Sequence, residues 1–363
     1  MPPSSQPQPQ PGQTLAPGLQ MPVTGRPGAA FKPANPVISP DELARARAIV
    51  DVVGLSFRAK VVGQENLFLS LLVALFANGH VLLESVPGLA KTTAAQTLAD
   101  AVKATFHRIQ CTPDVLPSDI IGTQIYNYSK GTFETQLGPV HANFVLLDEI
   151  NRSSAKTQSA MLEAMQERQT TIAGVKHKLP HPFVVLATQN PIEQEGTYEL
   201  PEAQMDRFML KEIVNYPSPQ EEIEMLNRIE SGVFDAPIDE TKTVNLEEVV
   251  FVQNLVKKVY VDPAVKQYIV NLVAVTRNPA SMISPDLARY VEYGASPRGS
   301  ITLLNVARVL AVLNGRDYVT PDDVKLLRYS VLRHRIILNF EALADKVHQE
   351  AIIDAIFAAV LTP

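Results

Sequence analysis

The sequence predicts an α/β fold in which helices sandwich a parallel sheet, followed by a smaller all-helical domain. Short apolar segments alternate with helical segments through the first part of the chain, and such continuous apolar runs are typical of parallel strands buried on both faces. From residue 221 onward, apolar residues such as Leu255 and Val259 instead recur at helical spacing. A length of 363 residues is enough for about two domains.

The domain limits follow from changes in composition. Residues 1–38 are rich in Pro and Gln, so they cannot bury enough apolar surface to offset the entropy of ordering and are expected to be disordered. The α/β core is predicted at 39–220 and the helical domain at 221–363. Ser39 suits the N-cap of the first helix because Pro40 follows it at the first helical position.

The elements follow in order, each from its own local pattern. Helices are favoured by caps and by apolar spacing of three and four, and strands by short apolar runs. The predicted elements are helices at 40–53 and 65–78, a strand at 80–84, a helix at 92–103, strands at 105–111 and 143–147, a helix at 154–167, a strand at 183–188, and a helix beginning at 320–323 (TPDD).

Composition excludes several classes of protein. The net charge of −6 disfavours non-specific binding of nucleic acid. The one cysteine, Cys111, can form neither an internal disulfide nor a multi-thiolate metal site, and it is expected to be a small buried residue. The chain lacks a secretory pattern at its start and an uncharged apolar run of roughly 18–20 residues. We therefore expect a cytoplasmic protein without a membrane span.

Residues 85–92 (SVPGLAKT) predict a phosphate-binding loop, because they follow a strand and open a helix. In that position, backbone N–H groups and the helix dipole point at an anion. Lys91 would contact the β and γ phosphates and Thr92 would bind Mg²⁺, although Ser85 and Ala90 stand where the motif has glycine. The residues predicted to bind ATP here are Pro87, Gly88, Leu89, Ala90, Lys91, Thr92 and Thr93.

Two acids end the apolar strand at 143–147 and predict the second half of the same site. Burying paired carboxylates is costly, which favours a functional role over a solvated acidic loop. Asp148 would hold Mg²⁺ through water, and Glu149 would polarise the attacking water. Asn190 ends a third apolar strand and could orient that water, although Asn-Pro is also a common turn signal.

These residues, together with the motifs given below, resemble the MoxR family of AAA+ ATPases. The resemblance runs from about residue 40 to the end of the chain. Ala90 before Lys91 is typical of that family, whereas Ser85 departs from it. The matching motifs are 88–92 (GLAKT), 148–152 (DEINR), 194–198 (QEGTY) and 201–208 (PEAQMDRF).

The resemblance implies a P-loop AAA+ core, a helical lid, and a ring, usually a hexamer, with ATP between subunits. Asn190 matches sensor 1, Arg207 matches the arginine finger given to the neighbouring subunit, and Arg298 matches sensor 2 on the lid, in cis or in trans. Without the resemblance to this family, each of these two arginines would be interpreted as a member of an ordinary surface salt bridge. The residues that match the segment near adenine are Val62, Gly63 and Gln64.

Two β-hairpin inserts are expected, at 119–140 and 168–182. Both resemble substrate-facing loops of the family. The aromatic residues of the first hairpin could grip a polypeptide or could equally pack the hairpin itself; they are Tyr126, Tyr128 and Phe133. In the second segment, His177 and His181 are four residues apart, but the prolines beside His181 argue against a helix that would bring them together on a metal.

The resemblance implies an ATPase that drives chaperone-like remodelling or maturation of a protein client, often one with a von Willebrand factor A domain. Two alternatives stay open. One is a DNA-acting motor or loader, since Lys176 and Lys178 lie on the second hairpin. The other is a scaffold that binds nucleotide without hydrolysing it.

Overall fold

The computed structural model describes residue 32 and residues 37–191, 200–234 and 242–363. Almost all of the predicted tail and the whole of segment 194–198 lie outside the described residues. The helices are α1 Pro40–Lys60, α2 Glu65–Phe76, α3 Lys91–Ala101, α4 Pro117–Ile121, α5 Ala155–Glu167, α6 Glu202–Met205, α7 Pro219–Glu230, α8 Leu246–Lys258, α9 Pro263–Arg277, α10 Pro285–Ala288, α11 Pro297–Leu313, α12 Pro321–Leu326, α13 Arg328–Leu332, α14 Phe340–Ala344 and α15 Gln349–Ala359. The strands are β1 Val81–Glu84, β2 Phe106–Gln110, β3 Gly122–Asn127, β4 Thr132–Leu137, β5 Phe144–Asp148, β6 Gln169–Ile172, β7 Val175–Lys178, β8 Val184–Gln189, β9 Leu210–Ile213, β10 Val291–Tyr293 and β11 Ile337–Leu338.

The core is a five-stranded sheet in the order β2-β5-β8-β1-β9, and its strand pairs are parallel. The predicted parallel sheet is therefore confirmed. Adjacent residues of a strand point to opposite faces, so Leu146 packs in one hydrophobic cluster and Leu147 in another on the other face. Helices cover both faces, which explains why β5 and β8 read as unbroken apolar runs.

Helix α1 is longer than the sequence predicts, ending at Lys60 rather than Val53. A glycine, Gly54, follows the predicted end and normally costs a helix interior about 1 kcal/mol relative to Ala. Here packing offsets that cost: the ring of Phe57 stacks on Phe68 of α2 with centroids 4.5 Å apart. Tertiary contacts, rather than local propensity, extend the helix.

Beyond β9 the described chain is mainly helical, with α11 at its centre. The hydrophobic cluster on one face of the sheet continues into these helices without a break. Polar contacts join the two parts as well: Ser330 donates to the buried carboxylate of Glu212 on β9 at 2.7 Å. The predicted boundary between residues 220 and 221 lies in the first turn of α7 and stays a prediction.

Two antiparallel hairpins lie in the segments where hairpins are predicted. Strands β3 and β4 pair from Gly122–Leu137 to Asn127–Thr132, and β6 pairs with β7. Gly122 has a φ of +107°, and an added Cβ there would lie 2.4 Å from the carbonyl oxygen of Gln136. Only glycine therefore fits where the first hairpin leaves α4.

Candidate functional site

The loop at 85–90 connects β1 to α3, whose first residues, Lys91 and Thr92, are half-buried. Gly88 and Ala90 both have left-handed backbones, with φ of +87° and +52°. An added Cβ on Gly88 would meet nothing within 4 Å among the described atoms. Ala90 is the N-cap of α3 and offers no side-chain cap, so the first amides of the helix are left for an external acceptor.

Ser85, the departure from the motif, is buried at the end of β1. Its N–H donates to the carbonyl of Gln189 at 3.1 Å, and its hydroxyl donates to the carbonyl of Val86 at 3.1 Å. The hydroxyl is therefore satisfied by the loop itself. Ser85 extends the sheet by one residue before the loop opens.

Asp148 and Glu149 leave the end of β5 and are held by one threonine of β8. The Thr188 hydroxyl donates to Asp148 Oδ1 at 2.8 Å and accepts from the Glu149 N–H at 2.8 Å. Glu149 has a φ of +57°, a conformation that is rare for a residue with a side chain. Thr188 thus fixes the direction in which both acids leave the strand.

Three further side chains contact these acids, and the sequence analysis missed them. Arg108 Nη2 lies 2.6 Å from Asp148 Oδ2, and Arg152 Nη1 lies 3.0 Å from Glu149 Oε2. Gln110 Nε2 also donates to Glu149 Oε2, at 3.1 Å. A sequence signal existed for two of them, because polar residues alternate along β2, the strand that pairs with β5.

The charges of Asp148 and Glu149 act on the Lys91 ammonium. Burial lowers the pKa of Lys91, and the charges of Asp148 and Glu149 oppose that shift. Since β1, β8 and β5 are parallel neighbours, the start of α3 and the two carboxylates after β5 lie at the same carboxyl edge of the sheet, close enough for the acids' charges to act on the amine. Thr92 is half-buried beside Lys91, while Pro87 and Thr93 are exposed.

Cys111, next to this site, is a buried free thiol, as predicted. Burial raises its pKa to about 12, and the nearby Asp148 carboxylate adds to the shift. The thiolate is the reactive form of cysteine, and this pKa keeps the thiol protonated at neutral pH.

The segment predicted to lie near adenine packs against the chain that leaves the sheet. Gln64 Nε2 donates to the carbonyl of Asn215, at 3.1 Å, just after β9. An added Cβ on Gly63 would lie 2.4 Å from Glu221 Oε1 of α7. Val62 precedes this turn and is half-buried.

Asn190 is buried directly after β8, which lies between β1 and β5, so it shares the carboxyl edge with Lys91.

Arg207 and Arg298 lie elsewhere, at the opposite edge of the sheet. They line a cavity of about 240 Å³ together with Gly79 and His80, which precede β1. The four residues of β1 span about 13 Å and separate this cavity from the loop that follows the strand. The structure therefore does not bring these two arginines to the Lys91 site of the same chain.

The cavity is rich in cations, and we call it the arginine cavity. Arg168 and Arg335 also line it, with Asp206 as the acid in its lining. Asp206 contacts Arg335 at 2.9 Å and Arg298 at 3.6 Å. Arg207 Nε is buried and lacks a hydrogen-bond partner among the described residues. Four guanidinium groups around one carboxylate leave a net positive charge suited to an anion.

Two absences apply to the described residues only. None of the described helices is long and apolar enough to cross a membrane. Within the same residues, no cluster of three or more His, Cys, Asp or Glu side chains could hold a metal ion.

The phosphate-type loop, the paired acids and the strand order define a P-loop protein of the AAA class. Residues 80–210 match the family described as "ATPase family associated with various cellular activities (AAA)", and residues 286–356 match its lid domain.

Named relatives narrow the class further. The chain is 48% identical to chaperone MoxR1 of Mycobacterium tuberculosis over 303 residues, which cover 84% of this chain and 79% of that one. It is 46% identical to YeaC of Bacillus subtilis over 84% of this chain and 91% of that one. A crystal structure of a Cytophaga hutchinsonii protein superposes with a TM-score of 0.81 at 44% identity, covering 89% and 97% of the two chains. The chain belongs to the MoxR family of AAA+ ATPases.

Proposed function

We propose that this protein binds Mg-ATP at the carboxyl edge of its sheet, hydrolyses it, and uses the energy to remodel a protein client. The observation that carries the proposal is that Lys91, at the uncapped start of α3, and the acids Asp148 and Glu149 lie at the same carboxyl edge of the sheet. A cation, oriented amides and two carboxylates are what a metal-chelated polyphosphate requires.

Each residue at this edge has a distinct role. The Lys91 ammonium and the first amides of α3 bind the phosphates. Glu149 orients the attacking water and accepts its proton, and Thr188 holds Glu149 in position through the backbone N–H. Asn190 orients the same water from the neighbouring strand. Val62, Gly63 and Gln64 contact the base.

The donor set at this edge fits Mg²⁺. Magnesium prefers oxygen ligands and retains several waters, and Thr92 and Asp148 offer a hydroxyl and a carboxylate. When bound, the ion would neutralise charge on the phosphates. Thr92 would hold it directly and Asp148 would hold it through water, so Arg108 would share the Asp148 carboxylate with that water.

The arginine cavity supports a ring in which both arginines act in trans. Arg207 and Arg298 share one cavity at the edge of the sheet opposite the nucleotide loop. They can reach a γ-phosphate only if the arginine cavity of one subunit faces the nucleotide edge of the next. We propose a closed ring, a hexamer, in which ATP lies between subunits. A trans arginine of this kind contributes roughly 10³–10⁵ in rate in other phosphoryl-transfer enzymes.

The client is proposed from family membership. One relative is named a chaperone, and a chaperone-like role fits a ring that moves its lid against its core during the ATP cycle. We propose a protein client that carries a von Willebrand factor A domain.

The DNA-acting alternative rests on Lys176 and Lys178, which lie on the β6–β7 hairpin. ATPase activity stimulated by DNA and lost at high salt would favour the DNA-acting alternative.

Glu149→Gln tests hydrolysis. The amide keeps the shape of the side chain but cannot accept a proton, so the variant should bind ATP with wild-type affinity while turnover falls at least 100-fold. Binding is measured with a fluorescent ATP analogue and turnover by phosphate release. Wild-type turnover in the variant would remove Glu149 from its role, and absence of turnover in the wild type would favour a nucleotide-binding scaffold.

Subunit mixing tests the trans arginines. Arg207→Ala and Arg298→Ala should each abolish turnover, because each removes a positive charge from the neighbour's site. Mixing either variant with Lys91→Ala should restore part of the activity, since a subunit with intact arginines then faces an intact loop. Arg47→Ala, a surface substitution on α1, is the control. Failure of Arg298→Ala to recover at any mixing ratio would mean that Arg298 acts in cis.

A further inference from the structure

Helix α7 carries an exposed apolar face that the proposed chemistry does not use. Ile223, Leu226 and Ile229 recur at intervals of three, with 60%, 61% and 59% of each residue's surface exposed. Within the described residues, α7 has no buried residue at all. We call these three side chains the α7 face. Large apolar side chains gathered on one side of a helix mark a binding surface rather than scattered exposure.

The opposite side of α7 attaches the helix beside the nucleotide edge. Arg228 donates to the carbonyl of Arg58 at 2.6 Å, near the end of α1. Glu221 lies against Gly63, in the segment assigned to the base. The α7 face is turned away from these contacts, because residues three and four apart share a side of a helix and the attached residues lie on another. It therefore lies next to the proposed ATP site, facing outward.

Helix α11 carries a matching surface at the other edge. Arg298, Ile301 and Asn305 follow one side of the helix and line the arginine cavity. Ile301 is 59% exposed, although it lies one turn from Arg298. The α11 surface is thus an apolar side chain next to a cation.

The charges of the two surfaces are complementary. Glu222 and Glu230 are exposed, four residues before and four residues after Leu226, so acids flank the α7 face at both ends. The net positive arginine cavity flanks Ile301 on α11. Opposite charges at the rim of an apolar contact fix its register and disfavour a contact between two α7 faces.

We infer that the α7 face of one copy of this chain packs on Ile301 of the next copy, beside its arginine cavity. The inference rests on the proposed ring, because a head-to-tail arrangement alone brings the nucleotide edge to the arginine cavity. Helix α7 lies beside the first and α11 beside the second, so the two surfaces meet when Arg207 and Arg298 reach the neighbour's phosphates. The contact would bury the face and close the site in the same step.

Cysteine cross-linking tests the contact directly. A chain with Leu226→Cys, Ile301→Cys and Cys111→Ala should give a ladder of covalent oligomers on mild oxidation with Mg-ATPγS, and monomers without nucleotide. Two single-cysteine chains mixed together should stop at dimers, since each carries one half of the contact. Pairing Leu226→Cys with Phe340→Cys, on the exposed α14, is the control and should give no ladder. Absence of a ladder in the first chain would overturn the inference.

A charge in the α7 face gives an independent measure. Leu226→Glu should raise the protein concentration needed for half-maximal assembly at least ten-fold, measured by analytical ultracentrifugation with Mg-ATPγS. Binding of the ATP analogue to the monomer should be unchanged, which also shows that the variant is folded. Leu55→Glu, at a residue 62% exposed on α1, is the matched control.

The outcomes separate this inference from the proposed function. If wild-type protein neither assembles nor turns over ATP, the proposed function fails. If the wild type assembles and Leu226→Glu assembles equally well, the ring stands and the α7 contact is wrong. A covalent dimer obtained with Leu226→Cys and Cys111→Ala alone, without a cysteine at position 301, would indicate a symmetric contact between two α7 faces and would likewise overturn the inference.

Discussion

Asp148 divides its two carboxylate oxygens between a hydroxyl and a guanidinium. Thr188 donates to Oδ1 and Arg108 contacts Oδ2 at 2.6 Å. The Arg108 side chain is half-exposed, so this ion pair is partly screened by solvent and contributes about 1 kcal/mol at most. Arg108 can therefore release the Asp148 carboxylate when another cation approaches. Substitution of Arg108 should thus change metal binding more than it changes stability.

Arg108→Gln should make Mg²⁺ bind more tightly. The substitution removes the cation that shares Asp148, so the Mg²⁺ concentration for half-maximal ATP binding should fall about two- to five-fold, in line with a pair worth up to about 1 kcal/mol. A Mg²⁺ titration of analogue binding measures this. Lys130→Gln, which removes a surface pair with Glu134, is the control. A rise in the Mg²⁺ requirement would indicate that Arg108 binds phosphate.

At the scale of the element, the start of α1 is fixed by a reciprocal cap. The Ser39 hydroxyl accepts from the Glu42 N–H at 3.2 Å, and the Glu42 carboxylate accepts from the Ser39 N–H at 2.9 Å. The predicted N-cap at Ser39 is confirmed. At α12 the Asp323 carboxylate accepts from both the N–H and the hydroxyl of Thr320, at 2.8 Å and 2.9 Å, and the predicted start at Thr320 and Pro321 is also confirmed.

Ser39→Ala should lower the free energy of unfolding by about 1 kcal/mol, because it leaves a helix amide without its acceptor. Urea denaturation measures the change. Ser39→Asp should be nearly neutral, since a carboxylate also accepts the amide and suits the positive end of the helix. Equal stability of Ser39→Ala and the wild type would mean that solvent replaces the cap.

The β3–β4 hairpin carries the aromatic residues with two possible roles. The Tyr126 ring packs edge-on against both Tyr128 and Phe133, with centroids 5.1 Å apart in each pair. The rings therefore do pack the hairpin. All three remain exposed, so contact with a client stays a prediction.

At the scale of the whole molecule, buried polar groups join the lid helices to the sheet. Arg335 is buried and donates to Asp206 and to the carbonyl of Phe208, at 2.9 Å and 2.7 Å. Burial lowers its pKa to about 10, against the opposing charge of Asp206. Because Asp206 also contacts Arg298, this junction positions the arginine cavity.

Two buried histidines make the stability of the whole molecule depend on pH. Burial, assisted by the charge of Arg168, lowers the pKa of His80 to about 3, from an ordinary value of 6.5. His80 Nε2 donates to the carbonyl of Met165, while Nδ1 accepts from the Val185 N–H. Burial also lowers the pKa of His334. Both rings are neutral in the folded state.

The free energy of unfolding should therefore fall as the pH drops below about 6.5. Below that pH, His80 is protonated in the unfolded chain but stays neutral in the folded chain down to about pH 3. This difference gives the free energy of unfolding a dependence on pH of up to about 1.4 kcal/mol per pH unit. Urea denaturation at pH 7.5, 6.5 and 5.5 measures it. His80→Asn should reduce the slope. An unchanged slope in that variant would assign the acid sensitivity to other groups.

The sequence by itself determined the features that depend on neighbouring residues. The apolar runs specified a parallel sheet and the caps specified helix starts, and both predictions are confirmed because backbone hydrogen bonding and side-chain period act over a few residues. The loop at 85–92 and the acids after β5 predict the two halves of one site, and their role in binding ATP stays a prediction. Parallel strands then bring their carboxyl ends to one edge wherever they lie in the chain.

Only the tertiary structure decided which distant groups meet. The polar alternation along β2 puts Arg108 and Gln110 on one face but does not say which acid each contacts, and no local pattern indicates that α1 continues past Gly54. The placement of Arg207 and Arg298 is the clearest case: the resemblance implied that Arg207 acts on the neighbouring subunit and left Arg298 to act in cis or in trans, and the fold puts both at the edge of the sheet opposite the nucleotide loop. The packing of the lid on β9 sets that position, and packing depends on contacts between residues more than 100 positions apart, such as Arg335 with Asp206.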